Sequence, residues 1–203
     1  MPTLPGYRAA RVLGLLACVG SCLAATQARA DIQTPGAHPH YTLDLEPHLA
    51  LQFDRGWRGE GTGIGPGFRV SLPVVQNGPL KNLNNNLAVG LGLDYTHFRG
   101  CDRPGTSGEC SVNQYWFPVL AQWNFFFTDH WSAFAELGFS VLHRTIAWDT
   151  ECPFLDAGQC HSKSFRPLEP VIFVGGRYLI TGRFGVVARV GSPYASLGVD
   201  FLL

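Results

Sequence analysis

The sequence predicts an all-β fold, a closed antiparallel up-and-down transmembrane β-barrel of about eight strands. Three observations predict it. Apolar residues recur at every second position through eight segments, and no stretch after residue 30 holds a 3.6-residue period. Charged residues make up 15% of the chain and lysine is limited to Lys81 and Lys163, whereas a soluble surface usually carries more charge. The connections between segments tend to alternate short and long, as they do when a barrel has a tight inner side and an open outer side.

The first element is not part of the barrel. Arg8 and Arg11 precede an apolar run from Val12 to Ala25, and Ala28-Arg29-Ala30 ends it just before Asp31. This is the pattern of a secretory signal peptide over residues 1–30, too short to span a bilayer as a helix. Val19-Gly20-Ser21-Cys22 offers a competing lipidation site at Cys22. The small-residue site eight positions further on favours cleavage after Ala30. Residues 31–40, with prolines at 35 and 39, read as a short periplasmic lead-in. His38 and His40 there are too few to define a metal site. Removal of residues 1–30 leaves 12 basic against 15 acidic residues, a mildly acidic balance that argues against nucleic acid as a partner.

The barrel is expected over residues 41–203. Its first segment sets Tyr41, Leu43, Leu45, Leu49, Leu51 and Phe53 against Thr42, Asp44, Glu46, His48 and Gln52. The second sets Ile64, Phe68, Val70, Leu72 and Val74 against Gly63, Gly65, Gly67, Arg69 and Ser71. Its GTGIGPG stretch suggests a nucleotide loop, but no helix follows, so these read as lumen-facing glycines. The third alternates Leu87, Val89, Leu91, Leu93 and Tyr95 with Ala88, Gly90, Gly92 and Asp94. The fourth carries Tyr115, Phe117, Val119, Ala121, Trp123 and Phe125 on one face, and the fifth Trp131, Ala133, Ala135, Leu137, Phe139 and Val141. The sixth starts at Leu168 and runs through Pro170, Ile172, Val174 and Tyr178. The seventh has Phe184, Val186, Ala188 and Val190, and the last Ala195, Leu197, Val199, Phe201 and Leu203. Each can cross a bilayer obliquely, which takes about 9–11 residues.

Thr128-Asp129-His130 and Thr181-Gly182-Arg183 sit where inner turns belong, and the segments 99–110 and 147–164 where outer loops belong. Two connections depart from the rule: 76–85 is long for an inner turn and 191–193 short for an outer loop. Cys101 and Cys110 fall in one outer loop, Cys152 and Cys160 in the other, and an exported chain with close cysteine pairs suggests disulfides.

Alternation alone does not say which face points inward, and an exported lipocalin-like barrel would invert it. The polar face is rich in Gly, Ala and Ser, suited to a crowded lumen, and aromatics gather at segment ends as interface girdles do. Tyr41, Trp123, Trp131, Tyr178 and Phe201 are expected at the periplasmic rim. Phe53, Tyr95, Tyr115, Trp148 and Tyr194 are expected at the outer one. With this pattern the chain resembles the small eight-stranded outer-membrane barrels of the OmpA and OmpX type over about residues 41–203. The resemblance implies outer-membrane lipid and lipopolysaccharide as surroundings, a bacterial outer-membrane location, and delivery by the barrel-assembly machinery. Members commonly end in an aromatic; here Phe201 is followed by Leu202 and Leu203. No catalytic motif comes with it.

With the polar face inside, the lower lumen should hold Asp44, Glu46, Glu136 and Asp200 with Arg69 and Arg177. The upper lumen should hold Asp94 and Glu169 with Arg144 and Arg189. An ion-pair network filling the lumen is the expected reading, and a narrow cation-preferring pore the alternative. A lipid-modifying enzyme would need a serine, a base and an acid within reach. His143 faces lipid with Ser140 on the opposite face, His161-Ser162 lies in a loop, and His48 has no obvious serine. The expectation is therefore a non-enzymatic barrel with no catalytic residue, metal or cofactor. An extracellular partner would be met by the loops 100–110 and 151–164.

Overall fold

A computed structural model describes residues 31–54, 61–99, 110–148 and 161–203. Eight strands close into an antiparallel up-and-down barrel in sequence order: β1 Asp44–Asp54, β2 Gly61–Val75, β3 Asn85–Arg99, β4 Cys110–Phe126, β5 Trp131–Trp148, β6 His161–Leu179, β7 Phe184–Ser192 and β8 Ala195–Leu202. β1 pairs with β2 from Asp44↔Ser71 to Asp54↔Gly61, and with β8 from Asp44↔Leu202 to Leu51↔Ala195, which closes the sheet and removes its lateral edges there. Thr42 N and Leu203 N extend the seam through hydrogen bonds to Leu203 O and Leu43 O (2.6 and 2.8 Å).

The two tight inner turns share one local chemistry. Thr128 Oγ1 accepts hydrogen bonds from His130 N and Trp131 N, and Thr181 Oγ1 accepts from Arg183 N and Phe184 N. Phe127 N and Ile180 N donate to Trp131 O and Phe184 O respectively. A threonine two residues ahead of the turn's end thus substitutes its hydroxyl for a missing backbone acceptor.

The long connection 76–84 has a structural reason. It folds across the mouth on the side of the tight turns together with residues 31–40. Asn84 N donates to Ile32 O (2.7 Å) beside a short 3₁₀ turn, Asp31–Gln33, and Phe126 N donates to Asn84 O. His38 stacks on Phe126 at 4.6 Å and donates from Nε2 to Gln76 O (2.7 Å). Asn85 secures the turn by donating to Leu80 O and Leu83 O, while its own side-chain carbonyl accepts from Trp123 Nε1.

The outer rim slopes. β6 climbs to His161, paired with Ala147 of β5, whereas β7 ends at Ser192 opposite Ile172. The sixth strand therefore begins seven residues before the expected Leu168, and 161–164 belong to it rather than to a loop. A bulge between Ser140 and Leu142 shifts the register. It exchanges inward and outward positions along β6, which is why the alternation below Leu168 does not continue above it.

Candidate functional site: lumen and outer wall

Six side chains from five strands meet in the lumen as a closed cycle of alternating charge. Glu46 binds Arg189. Arg189 reaches Glu136 (3.7 Å), Glu136 binds Arg69 (2.8 Å), and Arg69 reaches Asp94 (3.4 Å). Asp94 accepts from His48 Nε2 (2.7 Å), and His48 Nδ1 returns to Glu46, 3.3 Å from its carboxylate and 3.2 Å from its carbonyl. Below the cycle, Arg177 is held between Asp44 and Asp200. All of these side chains are buried. A buried charge is tolerated only with partners, and here each guanidinium has two or more carboxylates and each carboxylate of the cycle two cations, counting His48 as one. Aromatic rings fill the gaps: Arg177 and Arg189 lie 5.9 and 5.3 Å from the Phe134 ring, and Arg69 5.3 Å from that of Phe173.

Small residues make the room. A Cβ on Gly67 would sit 2.3 Å from both Asp94 Oδ1 and His48 Nε2, and one on Gly63 2.4 Å from the Phe98 ring. The GTGIGPG stretch is thus a lumen wall cut away to admit its neighbours.

The lumen is not uniformly polar. Tyr41, Phe126, Leu179 and Leu202 pack together at the mouth on the side of the tight turns. Trp116, Leu120, Leu142, Val171, Phe173 and Tyr194 pack with Ala50 beside the charge cycle. Gln52 ties Thr96 to Gln114 (2.9 and 3.2 Å) across the next level, and Phe98, Val112 and Ile146 pack above. Side chains fill an eight-strand interior, as the narrow bore of such barrels allows.

Several residues stand elsewhere than their sequence positions suggested. Arg189, expected in the upper set, joins Glu46 and Glu136 of the lower one, and Asp94 reaches down to Arg69. The stagger of tilted strands, invisible in one sequence, brings these levels together. Glu169 is outside the cycle: it pairs with Arg166 (3.0 Å) on the half-exposed rim beside the bulge. Arg144 stands higher, opposite Gln114 and Ser164. Two expected girdle residues are lumen residues. Tyr41 is buried in the mouth cluster, and Tyr194 is 2% exposed, turned inward by the short connection after Ser192. Its hydroxyl accepts from Arg69 (2.9 Å) and donates to Asp94. Neither His48 as a bridge nor Tyr194 as a lumen residue was apparent from alternation alone, although His48 lay on the polar face two positions from Glu46.

Of the remaining girdle residues, Phe53, Tyr95, Tyr115, Trp123, Trp131, Tyr178 and Phe201 lie on the outward rows. At the end of the tight turns Trp131 packs on Tyr178 (4.8 Å), Trp123 on Phe125 (4.9 Å) and Phe184 on Phe201 (5.2 Å). At the outer end Tyr95 packs on Tyr115 (5.1 Å), and Phe53 points outward from β1. Between these levels the exterior is apolar. Cross-strand rows read Leu91–Val119–Phe139–Pro170 and Ala121–Leu137–Ile172, and Leu137, Phe139 and Val119 are each more than half exposed. A continuous exposed belt of this kind is untenable in water, and a closed sheet with lipid-facing side chains is one of two ways a backbone crosses a bilayer.

The chain is a small closed up-and-down transmembrane β-barrel of eight strands. No protein-family model matches its sequence, and no curated protein matches it. Solved structures similar to this chain include the attachment invasion locus protein of Yersinia pestis, at 9% identity and a TM-score of 0.43 over 79% of this chain and 97% of that one. Neisserial surface protein A shares 13% identity, with a TM-score of 0.46 over 80% of this chain and 96% of that one.

The barrel presents little for catalysis among the described residues. No group of three or more His, Cys, Asp or Glu side chains there is placed to hold a metal ion. His48 is engaged by two carboxylates and not by a hydroxyl nucleophile, and His143 is on the outer wall with its ring 6.3 Å from that of Tyr115. Cys101, Cys152 and Cys160, the side chains of Cys110 and Trp148, residues 1–30 and most of the segments 100–110 and 151–164 lie outside the described residues.

Proposed function

We propose that the protein is a non-enzymatic outer-membrane barrel whose role is structural and surface-interactive, carried by its outer loops. The observation that carries this reading is the filled lumen. A charge cycle, a glutamine–threonine level and three apolar clusters occupy it from the mouth upward. A lumen packed in this way offers no open bore among the described residues, which leaves the parts beyond the membrane to meet partners. A narrow pore would need side chains to leave buried ion pairs, and removing one partner of such a pair costs about 3–5 kcal/mol.

On this reading residues 1–30 are removed on export and the barrel-assembly machinery inserts residues 41–203, with residues 31–40 left on the periplasmic side. Disulfides within the pairs Cys101/Cys110 and Cys152/Cys160 shorten the outer loops and lower the ordering entropy of binding. The test is a loop exchange. Replacing residues 101–109 and 149–160 with short Gly-Ser linkers in the full chain should leave barrel insertion intact and abolish adhesion of expressing cells to host cells or matrix. Unchanged adhesion by the loop-exchanged barrel would contradict the reading.

A further inference from the structure

The seam that joins the first strand to the last is a short, interrupted ladder. The β4–β5 ladder runs unbroken from Cys110↔Trp148 to Phe126↔Ser132, whereas β1 meets β8 only between Asp44↔Leu202 and Leu51↔Ala195, with no pairing at Glu46 and Pro47. Pro47 has no N–H to give. Its carbonyl is on the β8 side, where a Cβ on Gly198 would lie 2.6 Å from it, so the missing donor falls in the seam as well.

The lumen side of the same seam gathers like charge. Asp44 and Glu46 project inward from β1, and the register sets Asp200 of β8 opposite Glu46. All three carboxylates are buried, and like charges opposite one another across a ladder oppose its formation. The compensating cations come from neither seam strand. Arg177 of β6 is held between Asp44 and Asp200, and Arg189 of β7 binds Glu46. Both arginines thus reach across β8 to β1. The same charges read the register. A slip by one residue turns Asp44, Glu46 and His48 out to lipid. A slip by two sets His48 against Arg189 in one direction and Glu46 against Asp94 in the other, like against like in both cases.

We propose that Asp44 and Glu46 of β1, with Arg177 and Arg189 of the β6–β8 meander, form a charge latch that closes the barrel. The seam shuts, and shuts in one register, onto a meander whose arginines are already in place. Contact between β1 and β8 alone would bring three carboxylates together in a site that excludes water, so β6, β7 and β8 pair with one another before β1 joins them. The latch concerns how the chain completes its wall and is independent of what the outer loops bind.

The test is amide hydrogen exchange, read by NMR on the full mature chain folded in micelles. Leu43 N and Leu203 N donate across the seam to Leu203 O and Leu43 O and report on it. The amides around Val89↔Ala121 report on the β3–β4 ladder. D44N/E46Q, which discharges β1, should speed exchange at the seam on the order of tenfold relative to the β3–β4 ladder, the factor expected when a charged contact is lost from a local opening. E46Q alone makes the same comparison should the double variant not fold. R189M should act as E46Q does, and R189K, which keeps the charge, should lose less. I146A removes packing from the cluster of Phe98, Val112 and Ile146 on β3–β5, remote from the seam, and should not favour the seam. Heat-modifiable migration of every variant shows that the barrel is folded. Unchanged exchange at the seam in the discharged variants, equal acceleration there and in the β3–β4 ladder, or a seam-selective effect of I146A as large as theirs would each overturn the latch.

Discussion

Arg69 donates a hydrogen bond of 2.9 Å to the hydroxyl of Tyr194, a residue 125 positions away on the shortest outer connection. The contact explains why that connection is short. Ser192-Pro193 turns the chain below the outer rim, and Tyr194 enters the lumen to pack at a tilt against Phe173 (5.0 Å) and to bridge Arg69 and Asp94. A longer loop would carry the tyrosine out of reach.

Replacing Tyr194 by Phe keeps the ring packing and removes the bridge. Leaving buried polar partners one contact short costs about 1–3 kcal/mol. Urea unfolding of Y194F in lipid vesicles, followed by tryptophan fluorescence, should show an unfolding free energy lowered by that amount, read as a lower midpoint with an unchanged slope. A midpoint equal to wild type would show that the hydroxyl contributes nothing.

His48 closes the charge cycle, so H48A should be worse than a surface change. It leaves Asp94 and Glu46 each with a single cation, Arg69 and Arg189, in a buried site, where loss of one partner costs up to about 3–5 kcal/mol. A double-mutant cycle of H48A with D94A should give a coupling energy of about 0.5–3 kcal/mol. Simple additivity of the two changes would mean that the contact between His48 and Asp94 is not an energetic one.

Gly67 is required for that contact by space alone. G67A drives a methyl group between His48 and Asp94 and should destabilise the barrel by about 1–3 kcal/mol, the usual range for overpacking. Gly182 provides the contrast: it lies in an inner turn, and a methyl group added there would meet nothing within 4 Å. G182A should therefore be neutral within about 0.5 kcal/mol. Refolding yields and urea midpoints of the two variants side by side decide the matter, and equal effects would contradict the close packing at Gly67.

A filled lumen predicts electrical silence. Wild-type protein in planar bilayers should show no steady openings, because Tyr41, Phe126, Leu179 and Leu202 close the mouth and the ion pairs fill the level above. Reproducible large conductance steps would contradict the packing.

Much of the barrel was legible in the alternation, because a wall between lipid and a packed lumen imposes a period of two on every strand. The failures have the same origin. Above the lipid both faces of a strand meet polar surroundings, so residues 161–167 lose their alternation and read as loop, and the bulge opposite Ser140 hides the change of face. Long arginine side chains and strand tilt decide which charges meet, so Arg189 found Glu46 and Glu136 rather than the upper set. Tyr194 had the sequence signature of a girdle residue, since a tyrosine beside a turn looks the same whether the turn sits at the rim or below it.

The orientation of the wall is tested most directly by NMR of the mature protein folded in micelles, comparing a lipid-borne spin label with a water-soluble paramagnetic chelate. The methyl signals of Leu91, Val119 and Leu137 should be broadened by the lipid-borne label, while those of Leu120, Leu142 and Val171 stay sharp with both. Broadening of the second group and protection of the first would place the apolar rows inside and contradict a membrane-spanning barrel.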